Sequence, residues 1–557
     1  MNETVKILSL GGLDEEGKNC LVVDIDGSLY VIECGSREPD RRMPGVDYVI
    51  PNFDWLRENK DRVKAYFILH GHVDELGALP YIYHDVPAPV YLSEVSKAML
   101  LSFAERSKTI DPKEFDLHVV APTSTFMVDG RKVSFYRTSH NIANSSGIAI
   151  STSRGNIVYT ADYVIENNCD KNFLTDLNAL ARLAEEKTLV LLTESLYAGR
   201  KGYTAPLYKL TPHIEEAMKN AKGRFYLAIA SSNFYNITEA VGLALALGKK
   251  IVPYDQETAF IIKAMQSSGQ LLIPRDSYAP SEDINRLRSL DVFCLMLANK
   301  RKLFGKIALL AAGQNEGTQA RLAPEDTFAV GTLSDDNNEL EATDALDALY
   351  RSGATIVTLP RKGFLRMHAS EEDLKTVIAL LKPKYYVPAK GLFKDMLANA
   401  EIALSMGLGL THNSVFLLEN GTSLIIDDTG ARLFSEGVKV GDVYIDGIGV
   451  GDVQSSVIAD RERLSQGVVL MAVTVSKAAR KIVAGPDVQL RGLVFLKDLE
   501  AMVKEVSRHF LSEVEDGLKA GYKLEDIKQK AYDRVNRMIR RTTGKEPLVL
   551  PLIVEAN

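Results

Sequence analysis

The chain has 557 residues, 46% of them hydrophobic and 25% charged, with a formal net charge of −7. That length exceeds a single core, since cores stop growing near roughly 250–300 residues, so two or three domains are expected. The composition is that of a globular protein. No apolar run reaches roughly 18 residues, which argues against a transmembrane helix, and the start lacks a secretory pattern. The acidic balance argues against nonspecific coating of nucleic acid but leaves room for a local basic channel.

Taken in chain order, Val5–Leu10, Cys20–Asp24 and Leu29–Glu33 read as strands punctuated by Gly11-Gly12 and Asp26-Gly27. Further strands are expected at Ala65–Leu69, Lys132–Tyr136, Ile157–Tyr159, Leu189–Leu192, Phe225–Ile229, Ile307–Leu310, Ala354–Leu359 and Tyr385–Val387. Helical periodicity fills Leu207–Asn220, Glu239–Leu247 and Glu371–Leu381, and Lys300-Arg301-Lys302 reads as a surface turn. This alternation predicts an α/β fold. Near Gly447–Gly451 the texture changes to short strands. Two charged helices follow, about Lys497–Ala520 and Leu524–Arg541, and then the apolar run Pro547–Val554, so a separate C-terminal domain is expected. Four dispersed cysteines, Cys20, Cys34, Cys169 and Cys294, form no CxxC pair. They suggest neither a disulfide framework nor a thiolate zinc site, and a cytoplasmic setting fits them best.

The densest chemistry lies in Phe67-Ile68-Leu69-His70-Gly71-His72-Val73-Asp74-Glu75. A strand ends and at once delivers two imidazoles and a carboxylate on a tight loop, a ligand set suited to zinc or a similar divalent ion. A bare HxH arises easily by chance; the strand before it and Asp74 after it favour a metal. His140, Asp162 and Glu194 each follow an apolar strand in the same way. Singly they read as a loop histidine, a turn residue and a helix-start carboxylate. As a series they lie where open α/β sheets build their sites.

The segments HGHVDELGALPY, TSHNIANSSGIAI, NIVYTAD and LLTES resemble successive motifs of the metallo-β-lactamase superfamily. LSLGGLDEEGKNCLVVDID, HASEEDLKTVIALLKPKYYVPAKG, YIDGIGVGDVQSSVIADRERLSQGVVL, AGPDVQLRG and the ending TTGKEPLVLPLIVEAN are similar to its β-CASP branch, and within that to the ribonuclease J family. The resemblance runs from about Val5 to the C-terminus. It implies an αββα metallo-β-lactamase sandwich over residues 1–205 and 362–446, an inserted β-CASP α/β domain at 206–361, and a small α+β oligomerisation domain at 447–557. It also implies RNA as substrate, cut from the 5′ end or internally, with two divalent ions clamping the phosphate.

By the family's pattern His70, His72 and His140 hold the first ion, Asp162 bridges both, and Asp74 serves the second ion and the attacking water. Glu194 and His368 complete the implied catalytic set. The second ion's two further histidines are replaced by Glu75 and Lys390. In the phosphate loop, a His-x-Ser-Gly-His-Ala pattern has become Phe364-Leu365-Arg366-Met367-His368-Ala369. Ser231, Ser232 and Asn233 match the family's Ser-Asn segment, but Asn236 stands where an arginine is usual. Glu33 replaces a buttressing aspartate, and Ala312-Gly313-Gln314-Asn315-Glu316-Gly317 matches a further motif only loosely.

These departures concentrate on the second ion and the phosphate pocket. The chain is thus similar to the divergent second paralogue that some bacteria carry beside an active ribonuclease J. The expectation is one zinc ion, with manganese or magnesium possible at the altered position. Hydrolysis of RNA should be weak, or the chain is a non-catalytic RNA-binding or scaffolding subunit. Expected partners are RNA and either copies of itself, as dimer or tetramer, or an active paralogue, with no membrane. A small-molecule hydrolase would need neither the long Leu207–Leu359 insertion nor a C-terminal domain. Arg534, Arg537 and Arg541 share one helix face. Cations at a solvated helix end explain them more simply than an RNA track.

Overall fold

The computed structural model describes residues 3–40, 43–166, 168–169, 171–314, 317–335, 337–435, 437–447, 449–450, 455–476, 478–493 and 499–556. Asn315 and Glu316 of the loosely matched motif, and parts of the 447–451 and 497–498 segments, lie outside them. The chain divides into two compact units, one of residues 1–38 and 48–443, the other of 39–47 and 444–557.

The larger unit is mixed α/β. An eight-stranded sheet runs in the order Gly430–Ser435, Thr422–Asp427, Val5–Gly11, Cys20–Ile25, Ser28–Ile32, Val63–Ile68, Val90–Leu92, Leu117–Val119. A six-stranded sheet runs Tyr385–Pro388, Thr188–Thr193, Gly155–Tyr159, Ser146–Thr152, Arg131–Arg137, Thr125–Val128. Their inner faces share one apolar core, with Ile7, Val23, Tyr30 and Phe67 from the first sheet against Val133, Ile148, Ile157 and Val190 from the second. Alternate strand residues point to this core, which is why the two sheets face each other. Glu371–Leu381 and Leu177–Glu185 cover the outer face of the second sheet through Leu374, Ile378 and Leu180.

A third layer is an all-parallel sheet ordered Lys250–Pro253, Val292–Ala298, Phe225–Ala230, Thr327–Val330, Thr355–Thr358. Its central strands are buried on both faces, as parallel sheets require. Here two expectations are corrected. Ile307–Leu310 is not a strand but lies in the helix Lys300–Ala311, and Lys300-Arg301-Lys302 is that helix's first turn rather than a surface turn. Leu303, Phe304, Ile307 and Leu310 recur at helical spacing on one buried face, and the Asn299 side chain caps the start by accepting from Lys302 N–H.

In the smaller unit, the sheet Lys481–Arg491, Val468–Ser476, Leu548–Glu555 packs one face on the helices Leu499–Ala520 and Leu524–Thr543. Val469, Met471, Val473, Phe510, Val514, Val535 and Ile539 form that core.

Candidate metal and phosphate site

Strand ends deliver the site. Val63–Ile68 stops at Leu69, and the loop that follows carries His70 and His72 before the short helix Val73–Leu76. The turn is tight because Gly35 lies against it: a Cβ there would meet the Asp74 carbonyl oxygen at 1.6 Å. Strand Gly155–Tyr159 leads to Asp162, and strand Tyr385–Pro388 to Lys390. Glu33, Ala161 and Lys390, each just past a strand end, all take left-handed backbone (φ 64°, 51° and 56°). Non-glycine residues in that region cost of order 1–3 kcal/mol each and persist only where the surroundings enforce them.

The rings of His70, His72 and His140 stand edge to face, with centroids 4.9–5.1 Å apart. Their ligand nitrogens lie within 4.8 Å of one another. Two of the rings are tied at one nitrogen. His72 Nε2 bonds the Ser232 carbonyl at 3.2 Å, and His140 Nδ1 bonds that of Met367 at 2.8 Å. Such outer bonds fix the ring and leave the other nitrogen to a metal. His70 is more telling. It is 1% exposed, and both of its ring nitrogens lack a hydrogen-bond partner. Burial, then the neighbouring imidazoles, hold His70 well below its ordinary pKa, and burial does the same for His140, so both present neutral lone pairs. An orphaned buried imidazole among two others, with Asp162 Oδ2 3.5 Å from His70 and 3.8 Å from His140, fits a divalent ion.

The neighbouring corner, formed by His70, Glu75 and Asp162, has ligand-like spacing too, but it is already filled. Lys390 Nζ donates to Glu75 Oε1 at 2.5 Å and to Asp162 Oδ1 at 2.7 Å. Lys390 is 4% exposed, Asp162 2% and Glu75 0%. Burial opposes the charge on Lys390, but Asp162 and Glu75 overcome it and hold the ammonium well above its usual pKa. Asp162, against burial, is held well below its own by Lys390 and the histidines. Burial pushes Glu75 up, opposed by Lys390. An ammonium donates three hydrogen bonds and cannot ligate, so these residues do not fit a second ion. Asn19, which no spacing singled out, adds a bond from Nδ2 to Glu75 Oε1 at 3.1 Å. Glu33 is fully buried behind the loop and accepts from Leu69 N–H at 3.2 and 3.3 Å.

On the far side, His368 Nδ1 lies 2.8 Å from Glu194 Oε2. Glu194 Oε1 accepts from Tyr163 and Ala369 N–H at 2.8 and 3.0 Å. Burial pushes the Glu194 carboxyl up; Glu194 in turn holds His368 above its ordinary value against burial. Tyr197, also unmarked in sequence, sets its ring edge-on to His368 at 5.7 Å, and its hydroxyl accepts from Arg366 N–H at 3.3 Å. The Arg366 side chain is half exposed, its nearest acid being Glu16 at 3.9 Å.

Other expected site residues are placed differently. Asp74 joins none of the ligand-spaced clusters among the described residues. Phe364 and Leu365 are buried, and their N–H groups bond Pro360 and Leu207 carbonyls, so neither offers a phosphate donor. Met367 is buried and contributes only its carbonyl, to His140. Ser231 N–H bonds the Ala298 carbonyl, and Asn233 caps the helix Phe234–Ala246. Asn236 turns inward to Tyr208 and Glu239.

A buried histidine cluster at strand ends, beside a carboxylate–histidine pair, marks a metal-binding hydrolase of mixed α/β fold. The model of the ribonuclease J C-terminal domain matches residues 456–556. The chain is 30% identical to Ribonuclease J 2 of Staphylococcus epidermidis over all of this chain and 99% of that protein. It is 29% identical to Ribonuclease J 2 of Staphylococcus aureus, again over all of this chain and 99% of that protein. A solved protein of unknown function from Enterococcus faecalis shares the fold, with a TM-score of 0.51 and 15% identity over 76% of this chain and all of that one. The chain belongs to the ribonuclease J family.

Proposed function

We propose that this chain binds RNA and holds one divalent ion, most simply zinc, at His70, His72, His140 and Asp162, and that its phosphodiester hydrolysis is slow. The observation that carries this reading is the Lys390 ammonium seated between Glu75 and Asp162. A unit charge polarises water far less than a divalent ion, so the corner that Lys390 fills adds little to activating an attacking water. The bound ion would act as a Lewis acid toward the scissile phosphate and lower the pKa of a water. His368, whose pKa Glu194 raises against burial, would be the group to give a proton to the leaving oxygen, and Arg366 is an exposed cation nearby. The five-stranded parallel sheet and its helices, about 206–361, suit a β-CASP domain inserted in a metallo-β-lactamase sandwich, with the C-terminal domain from about 447.

A second reading, a scaffolding subunit bound to copies of itself or to an active paralogue, is favoured by one further observation. On the sheet face of the C-terminal unit away from its helices, Val483, Leu550, Leu552 and Val554 are exposed, and such apolar patches mark interaction sites. Elemental analysis after dialysis, with a nuclease assay on 5′-monophosphorylated RNA and a D74A/H140A control, tests the first reading. One ion per chain and slow, metal-dependent cleavage are expected. Two tightly held ions, or cleavage as fast as that of an intact family member, would refute it.

A further inference from the structure

The helix Leu524–Thr543 carries a basic face that the site around His70 does not use. From Lys528 to Arg541 its one acidic residue is Asp533. In sequence Arg534, Arg537 and Arg541 suit a solvated helix end, but the fold puts them in a different setting. The opposite face, Ile527, Ala531, Val535 and Ile539, is buried in the C-terminal core. The arginines therefore turn into the crease between this helix and Leu499–Ala520. There, with His509, Glu513, Met538 and Thr542, they line a groove of about 460 Å³.

The charges in that groove do not cancel. Arg534 is fixed in place, since its Nη1 donates to Glu513 Oε1 at 2.6 Å and its Nε to His509 Nδ1 at 3.1 Å. Burial, Arg508 and Arg534 keep His509 below its ordinary pKa, so a neutral ring accepts that bond. Glu513 is the one carboxylate lining the groove, and Arg534 engages it. Arg537 Nε reaches only the Asp533 carbonyl, at 3.1 Å, and Arg541 has no acidic partner among the described residues. Both are exposed. The backbone positions of Arg537 and Arg541, four residues apart, are separated by a rise of about 6 Å along the helix axis, on the scale of one nucleotide step in an extended strand.

We propose that this groove is a second RNA site, one that takes the phosphodiester backbone of a single strand regardless of its sequence or its 5′ end. The proposal rests on the reading of the chain as an RNA binder but not on its metal site. The guanidinium fork matches phosphate oxygens, and Met538 offers an apolar surface beside them.

The test is fluorescence anisotropy of the full chain with a 5′-hydroxyl oligouridine across a salt series. R537E/R541E is expected to weaken binding about tenfold or more and to flatten the salt dependence by about 1.4 in log–log slope, two phosphates at roughly 0.7 each. R537K/R541K should keep the slope. If charge reversal lowers the melting temperature, R537Q/R541Q serves in its place with the same expected loss. Unchanged affinity and slope in the reversal and neutral variants would overturn the proposal while leaving RNA binding itself standing. So would oligoglutamate of equal charge displacing the RNA as well as unlabelled oligouridine does, since the groove would then take any polyanion. No binding of RNA by the unaltered chain would sink both this proposal and the reading it rests on.

Discussion

Replacing Lys390 with methionine leaves an unbranched side chain one atom shorter and removes its charge. Asp162 and Glu75, 2% and 0% exposed, would then face each other with Glu33 buried behind them and no internal cation at that corner. Removing one partner of a buried ion pair costs about 3–5 kcal/mol, because the remaining charge is left uncompensated. Against a total stability of roughly 5–15 kcal/mol, a loss of that size is readily measured. The variant should therefore lose about 3–5 kcal/mol in urea unfolding performed with a chelator. Added zinc or manganese should restore part of it, since the vacated carboxylates can now accept an ion; at about 100 times its dissociation constant a bound ligand contributes about 2.7 kcal/mol. The unaltered chain should show no second such increment. A destabilisation under about 1 kcal/mol, or no metal-dependent recovery beyond that of the unaltered chain, would refute the idea that Lys390 neutralises the site.

The converse change, E75H/K390H, supplies two imidazoles at that corner, and elemental analysis should then find a second ion; one ion would show that lost ligands are not what limits the site. Gly35→Ala forces a methyl group onto the Asp74 carbonyl, so it should cost about 1–3 kcal/mol and loosen the bound ion, as a chelator competition would show. Glu194→Gln removes the carboxylate that holds His368 up; the His368 ring should titrate at lower pH by NMR, and an unchanged titration would rule out the pairing. Asp442, bonded to Lys18 and to Arg37 at 2.6 Å, is held below its ordinary pKa by them against burial. Its stabilisation is fully present above the unfolded value of about 3.9 and is lost as pH falls through the folded one. Asp442→Asn should therefore flatten the acid limb of the stability curve below about pH 4.

His70, His72, His140 and Asp162 were legible because each follows an apolar strand, and strand ends are where such sheets present side chains. Lys390 stood out only against the family's motif; in isolation VPAKG is a turn. The Glu194–His368 bond joins residues 174 positions apart, and no local pattern announces it. At Phe364 and Leu365 a motif position says nothing about whether the N–H is already engaged, as it is here by the Pro360 and Leu207 carbonyls. Ile307–Leu310 lies in a helix; a four-residue apolar run fits a buried strand or a buried helix face equally well. The run over Val292–Ala298, buried on both faces, carries no alternation to distinguish it either.

The bond from His72 Nε2 to the Ser232 carbonyl has a consequence beyond orienting a ring. It ties the metal loop to the turn that begins the helix Phe234–Ala246 in the parallel-sheet layer. Any movement that draws those two parts apart must break it and free the His72 ring. An ion held at His72 would then be linked to that opening: a nucleic acid that needed the opened form would lower the ion's affinity, and the ion would lower the nucleic acid's by the same factor.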